Sequence, residues 1–422
     1  MVHRRKLQNG IRIITEPLTH YRSACLGVWI GTGSIRESAR ESGASHFIEH
    51  MLFKGTPTRS ASDIAAQMDG IGGTLNAFTS KDCTCFYAKV LDEHLEKAVD
   101  LLSDIVLNSS FDEKEIEKEK GVVCEEILMM EDSPEDLAHE SLSDVYFEDG
   151  ALSKPILGSV ESVRGFTRDV LLSYMKSHYT PENTVISCAG NVSEERVAQL
   201  VEERFKAHSG PGRLPPFPHD VKPGNRFKAV EKDVEQVHIC IGMPGYGIDR
   251  DGQYPLFVLN NALGGSMSSR LFQKIREEKG LAYSVYSYPV SYVGVGCFAM
   301  YAGTGEKQAV QVVDLMLEEL RRMRKEGLTR EEFIRSKEQL KGNFLLGQEG
   351  TSGRMNAIGK SELLLGKVYT EEERLAQIEG ITMDHVMGIL PEVLDGTKIC
   401  AAAVGRVKEH AEQIRERILQ GL

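Results

Sequence analysis

The chain has 422 residues, more than one hydrophobic core usually holds, so two or more domains are expected. A hydrophobic fraction of 41% and a charged fraction of 27% are those of an ordinary soluble globular protein that needs no disulfide or metal to hold its cores. The net charge of −12 argues against a nucleic-acid binder, and the absence of any run of about 18 apolar residues excludes a membrane-spanning helix.

The chain opens MVHRRKLQNGIRIITEP. No apolar stretch of secretory length follows these basic residues, and the segment lacks the Ser-rich, amphipathic character of a transit peptide. The expected location is the cytoplasm of a bacterium. A β-rich run, ACLGVWIGTGS, comes next and leads into SGASHFIEHMLFKGT, which has helical periodicity. Within it, His46 and His50 are four apart, so both imidazoles leave one helix face and can meet one ion. Glu49 borders that face, where its carboxylate can take a proton from metal-bound water. The pattern His-x-x-Glu-His is the inverted zincin arrangement. Its bland alternative is a pair of surface or core-satisfied histidines. Ser42 and Ser45 are candidate helix starts and Gly55 a stop.

A second helical stretch, ASDIAAQMDGIGG, follows, with Gly72 and Gly73 serving tight backbone geometry. Asp82 to Val90 alternates as an edge strand would, and an extended peptide could add to such an edge through main-chain hydrogen bonds. A charged helix is expected from Glu93 to Asn108. The segment EIEKEKGVVCEEILMMEDSPED then supplies carboxylates for the third ligand that a catalytic zinc requires. Glu119 and Glu126 are seven apart, hence on one helix face, with Val122 and Val123 between them. Glu117, Glu125 and Glu131 read as solvated. Residues 209–225 hold five prolines and lack apolar periodicity, which marks a linker near the middle of the chain.

Beyond that linker come HICIGMPGY, QYPLFVLNNALGG, SSRLFQKIREEKG, the strands AYSVYSYPV and GCFAMYAG, and a helix from Glu306 to Lys325. The order repeats that of the first half, and GLTREEFIRSKEQLKGNFL resembles SFDEKEIEKEKGVVCEEIL. A repeat of about 200 residues is a duplicated domain. The Gly264-Gly265 pair is followed by no GK[ST], so a phosphate loop is rejected. The eight cysteines are scattered, form no CxxC pair and read as buried free thiols. Without further context, Arg276 reads as a helix-surface charge and Tyr283 as strand packing.

Taken together, HFIEHMLFKGT, GGTLNAFTSKDCTCFY, IEKEKGVVCEEI, SHYTPENTVISCAGN and SSRLFQKIREEKGLAYSV resemble the pitrilysin/insulinase family of zinc peptidases. The resemblance is strongest to the branch of mitochondrial processing peptidase and its bacterial relatives, and it spans nearly the whole chain. It implies that His46, His50 and Glu126 bind one zinc per chain, with Glu49 as general base and Glu119 as a supporting carboxylate. It implies that Asn76, Ala77 and Phe78 line the substrate cleft, and that Arg276 and Tyr283 face the substrate from the opposite half of a clamshell. The activity implied is zinc metalloendopeptidase hydrolysis of peptides or unfolded segments. Four such domains form the clamshell in relatives, so a homodimer is implied, with no nucleic-acid or membrane partner. The alternative is a non-catalytic core subunit of a larger assembly.

The duplication checks these assignments within the chain. Leu256, Leu259 and Asn260 fall opposite His46, Glu49 and His50, while Ser336 and Asn343 fall opposite Glu119 and Glu126. The apolar pattern persists where the chemical residues do not. The expected fold is therefore α+β, with a catalytic domain (1–208), a linker (209–225) and a metal-free copy (226–422) that contributes to substrate binding. Each domain is expected to be a mainly antiparallel sheet packed with helices.

Overall fold

A computed structural model describes residues 1–420 except 149, 213, 215 and 218–223, so much of the expected linker 209–225 lies outside the described residues. The chain forms two compact units, and neither is one continuous stretch. The first comprises Met1–Ile127, Lys154–Phe217 and Leu345–Glu371; the second comprises Leu128–Ser153, Pro218–Phe344 and Glu372–Leu422. The expected division at 209–225 differs from these units by two segments. Each half of the chain supplies the other half's unit with a helix, Pro134–Tyr146 in one direction and Thr351–Leu365 in the other.

The first unit is built on a six-stranded sheet of β1 (His3–Lys6), β2 (Arg12–Pro17), β3 (Ser23–Ile30), β4 (Thr74–Thr79), β5 (Thr84–Leu91) and β6 (Thr184–Gly190), in the order β1-β2-β6-β3-β5-β4. Only β2 and β6 run parallel. β3 is apolar almost throughout because both its faces are covered. Ala24, Leu26, Val28 and Ile30 enter the core under helices such as Ala44–Leu52 and Leu95–Asn108. Cys25 and Trp29 point the other way, toward Met355 and Ile358 of helix Thr351–Leu365. That helix comes close to the sheet because it carries a glycine at the contact. A Cβ on Gly359 would lie 2.3 Å from Trp29 Nε1. Charge reinforces the docking, since the buried Glu362 carboxylate pairs with Arg4 at 2.6 Å and Arg12 at 3.4 Å.

The expected edge strand is corrected by the structure. β5 is hydrogen-bonded on both sides, to β3 and β4, and the free edge is β4. The alternation seen in residues 82–90 separates two covered faces of an interior strand, with Phe86, Ala88 and Val90 on one and Cys85 and Tyr87 on the other.

The second unit repeats the plan. Its strands are β7 (Arg226–Glu231), β8 (Gln236–Gly245), β9 (Ala282–Ser291), β10 (Gly296–Gly305) and β11 (Cys400–Gly405), in the order β7-β11-β8-β10-β9. This matches β2-β6-β3-β5-β4, down to the single parallel pair, β7 with β11. The chain thus has an α+β fold of two like units. Helices Gln253–Leu263, Ala309–Glu326 and Met383–Val393 fill the core side. Helix Pro134–Tyr146 covers the other face, where His139 Nδ1 meets the Tyr288 hydroxyl at 2.6 Å and His139 Nε2 the Tyr286 hydroxyl at 3.0 Å. All eight cysteines are buried and unpaired. No helix among the described residues is long and apolar enough to cross a membrane.

One ion pair in this unit sets an acid limit. Arg270 donates to both Glu332 oxygens, at 2.7 and 2.8 Å, and Thr329 N–H donates to the same carboxylate. Burial alone would raise the Glu332 carboxyl, but these donors outweigh it and hold it down to about 2. Its contribution is present above the unfolded value of 4.5 and is lost as pH falls through about 2. Urea midpoints of the native protein should therefore fall more steeply between pH 5 and pH 2 than those of Glu332→Gln. Parallel pH dependences would contradict this account.

Candidate metal centre

Helix Ala44–Leu52 carries the His-x-x-Glu-His pattern on a helix whose other faces are apolar. Phe47, Ile48, Met51 and Leu52 are fully buried and anchor it on the sheet. The helix begins at Gly43, whose φ is +90, and no side chain of Ser42 or Ser45 caps it. The Glu37 carboxylate takes that place, accepting from Gly43 N–H at 2.7 Å and Ser45 N–H at 2.8 Å. Burial pushes the Glu37 carboxyl up to about 7, against the pull of these two donors.

His46 and His50 lie one turn apart with ring centroids 4.6 Å from each other. Glu126 reaches them from helix Glu113–Asp132. One of its oxygens, Oε2, lies 3.6 Å from His46 Nε2 and 3.6 Å from His50 Nε2. That spacing is too long for a hydrogen bond. It is close to the separation of roughly 3.4 Å between neighbouring ligand atoms around a tetrahedral ion with bonds of about 2.0–2.1 Å. The three ligand atoms lie within 4.8 Å of one another, the sole such group of three or more among the described residues. Two imidazoles and a carboxylate suit a borderline ion such as zinc and leave a position for water.

The surroundings favour the ligand state of both histidines. Burial, then the neighbouring His50, push His46 down to about 4, so it is neutral at pH 7. His50 Nδ1 lies 2.8 Å from Glu119 Oε1, and the other Glu119 oxygen pairs with Lys54 Nζ at 2.6 Å. Glu119 is 1% exposed. Burial opposes its charge, but the His50 and Lys54 contacts prevail and hold its carboxyl below the usual range. An ionised Glu119 accepts, so His50 Nδ1 carries the proton and Nε2 presents its lone pair toward Glu126. Removing that charge by Glu119→Gln should weaken metal binding by about 10–100-fold without unfolding the unit. Chelator competition measures this, and an unchanged affinity would remove Glu119 from the site.

Glu49 sits beside the donor set. Its carboxyl is raised by burial, with His50 and a hydrogen bond from Thr79 acting against the shift. Thr79 Oγ1 donates to Glu49 Oε2 at 2.5 Å from the last position of edge strand β4. Of the expected cleft residues on β4, Ala77 shares the face of Thr79 and packs against the core. Asn76 and Phe78 alternate to the opposite face, where the Phe78 ring meets Trp29 edge-on at 5.6 Å. The Asn76 side-chain oxygen accepts from Ala77 N–H at 2.8 Å.

Arg276 and Tyr283 belong to the second unit, apart from the unit that holds His46, Glu49, His50, Glu119 and Glu126. They do contact each other. Arg276 lies on a wide π-helical turn, Phe272–Glu278, with its guanidinium 4.6 Å from the Tyr283 ring centroid and 4.7 Å from that of Phe272. Tyr283 is 78% exposed, near the start of edge strand β9. In this unit Leu256 and Leu259 are fully buried, and Ser287 Oγ donates to Asn260 Oδ1 at 2.7 Å. Apolar packing and an amide hydrogen bond thus stand where the first unit has its ligand set.

Sequence reasoning missed Glu37, Lys54 and Thr79. Lys54 stands four residues beyond His50, and Thr79 two beyond Ala77, so spacing could have found both. Nothing in the spacing points to Glu37.

The chain is similar to known proteins over most of its length. The sequence model described as insulinase (peptidase family M16) matches residues 12–160, and that described as peptidase M16 inactive domain matches residues 165–340. The chain is 46% identical to an uncharacterized zinc protease of Bacillus subtilis, covering 92% of this chain and 95% of that one. It is 40% identical to an uncharacterized zinc protease of Streptomyces coelicolor, covering 97% and 90%. A protease from Helicobacter pylori superimposes with a TM-score of 0.89 at 20% identity, covering 96% of this chain and 99% of that one. A peptidase M16 inactive domain from Pseudomonas fluorescens does so with 0.90 at 18% identity, covering 96% and 98%. At those identities the structural likeness speaks for the fold.

Proposed function

The chain belongs to the insulinase family of peptidases (peptidase family M16), and from that membership and its site we propose that it is a zinc metalloendopeptidase acting on short or unfolded peptides. One observation carries the reading. Two imidazoles meet one carboxylate at ligand spacing, and a half-buried glutamate stands beside them on the same helix. We assign one zinc to each chain, held by His46, His50 and Glu126. When bound there, zinc supplies a Lewis acid that acidifies water and polarises the scissile carbonyl.

The remaining work falls to the chain's own groups. Glu49 accepts the proton of the attacking water and delivers it to the leaving amine. Its raised pKa keeps the conjugate acid available for that second transfer, and the Thr79 hydroxyl aims the carboxylate. Glu119 holds His50 in its ligand tautomer. Because Thr79 ends the free edge β4, a peptide added as the next strand runs toward Glu49. To accept it, the Asn76 side chain must release Ala77 N–H. Backbone pairing of this kind tolerates many sequences, which suits the processing-peptidase branch. The bacterial relatives favour a cytoplasmic enzyme.

We place Arg276 and Tyr283 on the substrate side of a homodimeric chamber, with Tyr283 steadying the oxyanion or the peptide backbone. Exposure of the Tyr283 ring, with the Arg276 guanidinium over it, supports the assignment. If the sites are shared between subunits, mixing inactive Glu49→Gln with inactive Tyr283→Phe should restore up to about a quarter of native activity through random reassortment. No recovery in verified mixed dimers would rule out sharing. A non-catalytic subunit is the second reading, favoured by the inactive-domain match. Stoichiometric zinc with cleavage of a quenched peptide panel would eliminate it. A folded sample showing neither would establish it over the enzyme.

A further inference from the structure

We infer that Glu37 is a positioning residue for the metal site: its buried carboxylate fixes the first turn of the motif helix and thereby the direction of the His46 imidazole. The inference rests on the proposed role of His46 as a ligand. The two histidines are held in different ways. His50 is oriented through its second ring nitrogen by Glu119, which Lys54 holds in turn. His46 Nδ1 is buried and has no hydrogen-bond partner. Its aim therefore depends on backbone placement and packing, and His46 sits in the first turn, where a helix has the fewest internal hydrogen bonds.

Glu37 supplies what that turn lacks. It is 3% exposed and spans two N–H groups with its two oxygens, Gly43 at 2.7 Å and Ser45 at 2.8 Å. Ser45 immediately precedes His46, so the carboxylate acts one peptide unit from the ligand. The Glu37 main chain is itself tied down. Lys154 Nζ donates to the Glu37 carbonyl at 2.7 Å, and the chain beyond Lys154 returns to the start of the helix. There Gly43 and Gly158 face each other so closely that a Cβ on Gly43 would lie 2.5 Å from Leu157 O. On its other side Ser45 Oγ meets the Tyr174 hydroxyl at 2.9 Å. The first turn is thus clamped from outside the helix by Glu37, Leu157–Gly158 and Tyr174. Metal ligands need placement within about 0.5 Å, which an unclamped first turn does not give.

The test uses the full-length protein, zinc alone as the probe, and two readouts. Zinc affinity is measured by chelator competition for native protein, Glu37→Gln, Glu37→Ala and Glu119→Gln. Amide hydrogen exchange of residues 43–48 is measured on the metal-free forms. Glu37→Gln keeps the shape and one acceptor, so it should raise exchange in this turn and weaken zinc binding about 10-fold, with Glu37→Ala closer to 100-fold. Glu119→Gln should weaken zinc without raising exchange there. If Glu37→Gln raises exchange but binds zinc like native protein, Glu37 is only a structural cap and the inference falls. Unchanged exchange would also overturn it. Should Glu37→Ala not fold, the Gln variant carries the result. Native protein that binds no zinc would instead defeat the proposed function, a result distinct from zinc-binding native protein with unaffected variants.

Discussion

Glu49→Gln is expected to lower kcat for a quenched peptide by about 10³–10⁴-fold, near the upper range for loss of a general base. That corresponds to roughly 4–5.5 kcal/mol of transition-state stabilisation. The amide keeps the shape of the carboxylate and can still accept from Thr79, but it cannot take a proton from water. Zinc content should stay at the native level, because Glu49 is not among the three groups that meet at ligand spacing. Turnover and metal analysis on the same sample decide the matter. Activity within tenfold of native would assign the base elsewhere, and loss of zinc would make Glu49 a ligand.

Glu126→Ala is expected to reduce zinc affinity by at least about 10³-fold, since two imidazoles remain of a three-ligand set. The metal-free protein should be little affected. Glu126 is 42% exposed along its side chain and, among the described residues, makes only the 3.6 Å approaches to the two histidines. Zinc binding to the folded state alone stabilises by about 4 kcal/mol when zinc stands at 1,000 times its dissociation constant. Native protein should therefore show a clear rise in Tm on zinc addition, reversed by chelator. In Glu126→Ala that rise should vanish while the chelated Tm values coincide. An equal rise in both proteins would remove Glu126 from the ligand set.

What could be read in the sequence follows the range of the interactions. His46, Glu49 and His50 lie within five residues, where helix periodicity alone fixes their common face. The duplication was legible because apolar patterning survives the loss of chemistry, and the matching sheet orders bear it out. Glu119 and Glu126 were legible as a pair on one helix face, but their different roles came only from the family resemblance. In the structure, Glu119 meets Nδ1 of His50 and Glu126 meets Nε2. The edge was misplaced because a strand covered on both faces can alternate as strongly as one at a border. Only the pairing partners of β5 distinguish the two cases. Glu37 was not legible, since a carboxylate that caps from outside a helix has no fixed offset from it. The exchanged helices were invisible for a related reason. Nothing local in residues 351–365 says which sheet they cover.

That exchange bears on how the protein is made. The strands of the first unit's sheet, from His3 to Gly190, all precede its backing helix, which runs from Thr351 to Leu365. Trp29, Cys25 and Cys85 must stay uncovered on one face while some 260 further residues emerge, counted from the end of β5 at Leu91 to Thr351. At about 5–20 residues per second on the ribosome, that is an interval of roughly 13–52 seconds. During it an apolar sheet face is open to aggregation or to chaperone capture. A fragment ending near residue 217 would keep the whole ligand set but also keep that face bare. Emergence of residues 351–365, rather than completion of the metal-binding half, is then the moment at which the first unit can close.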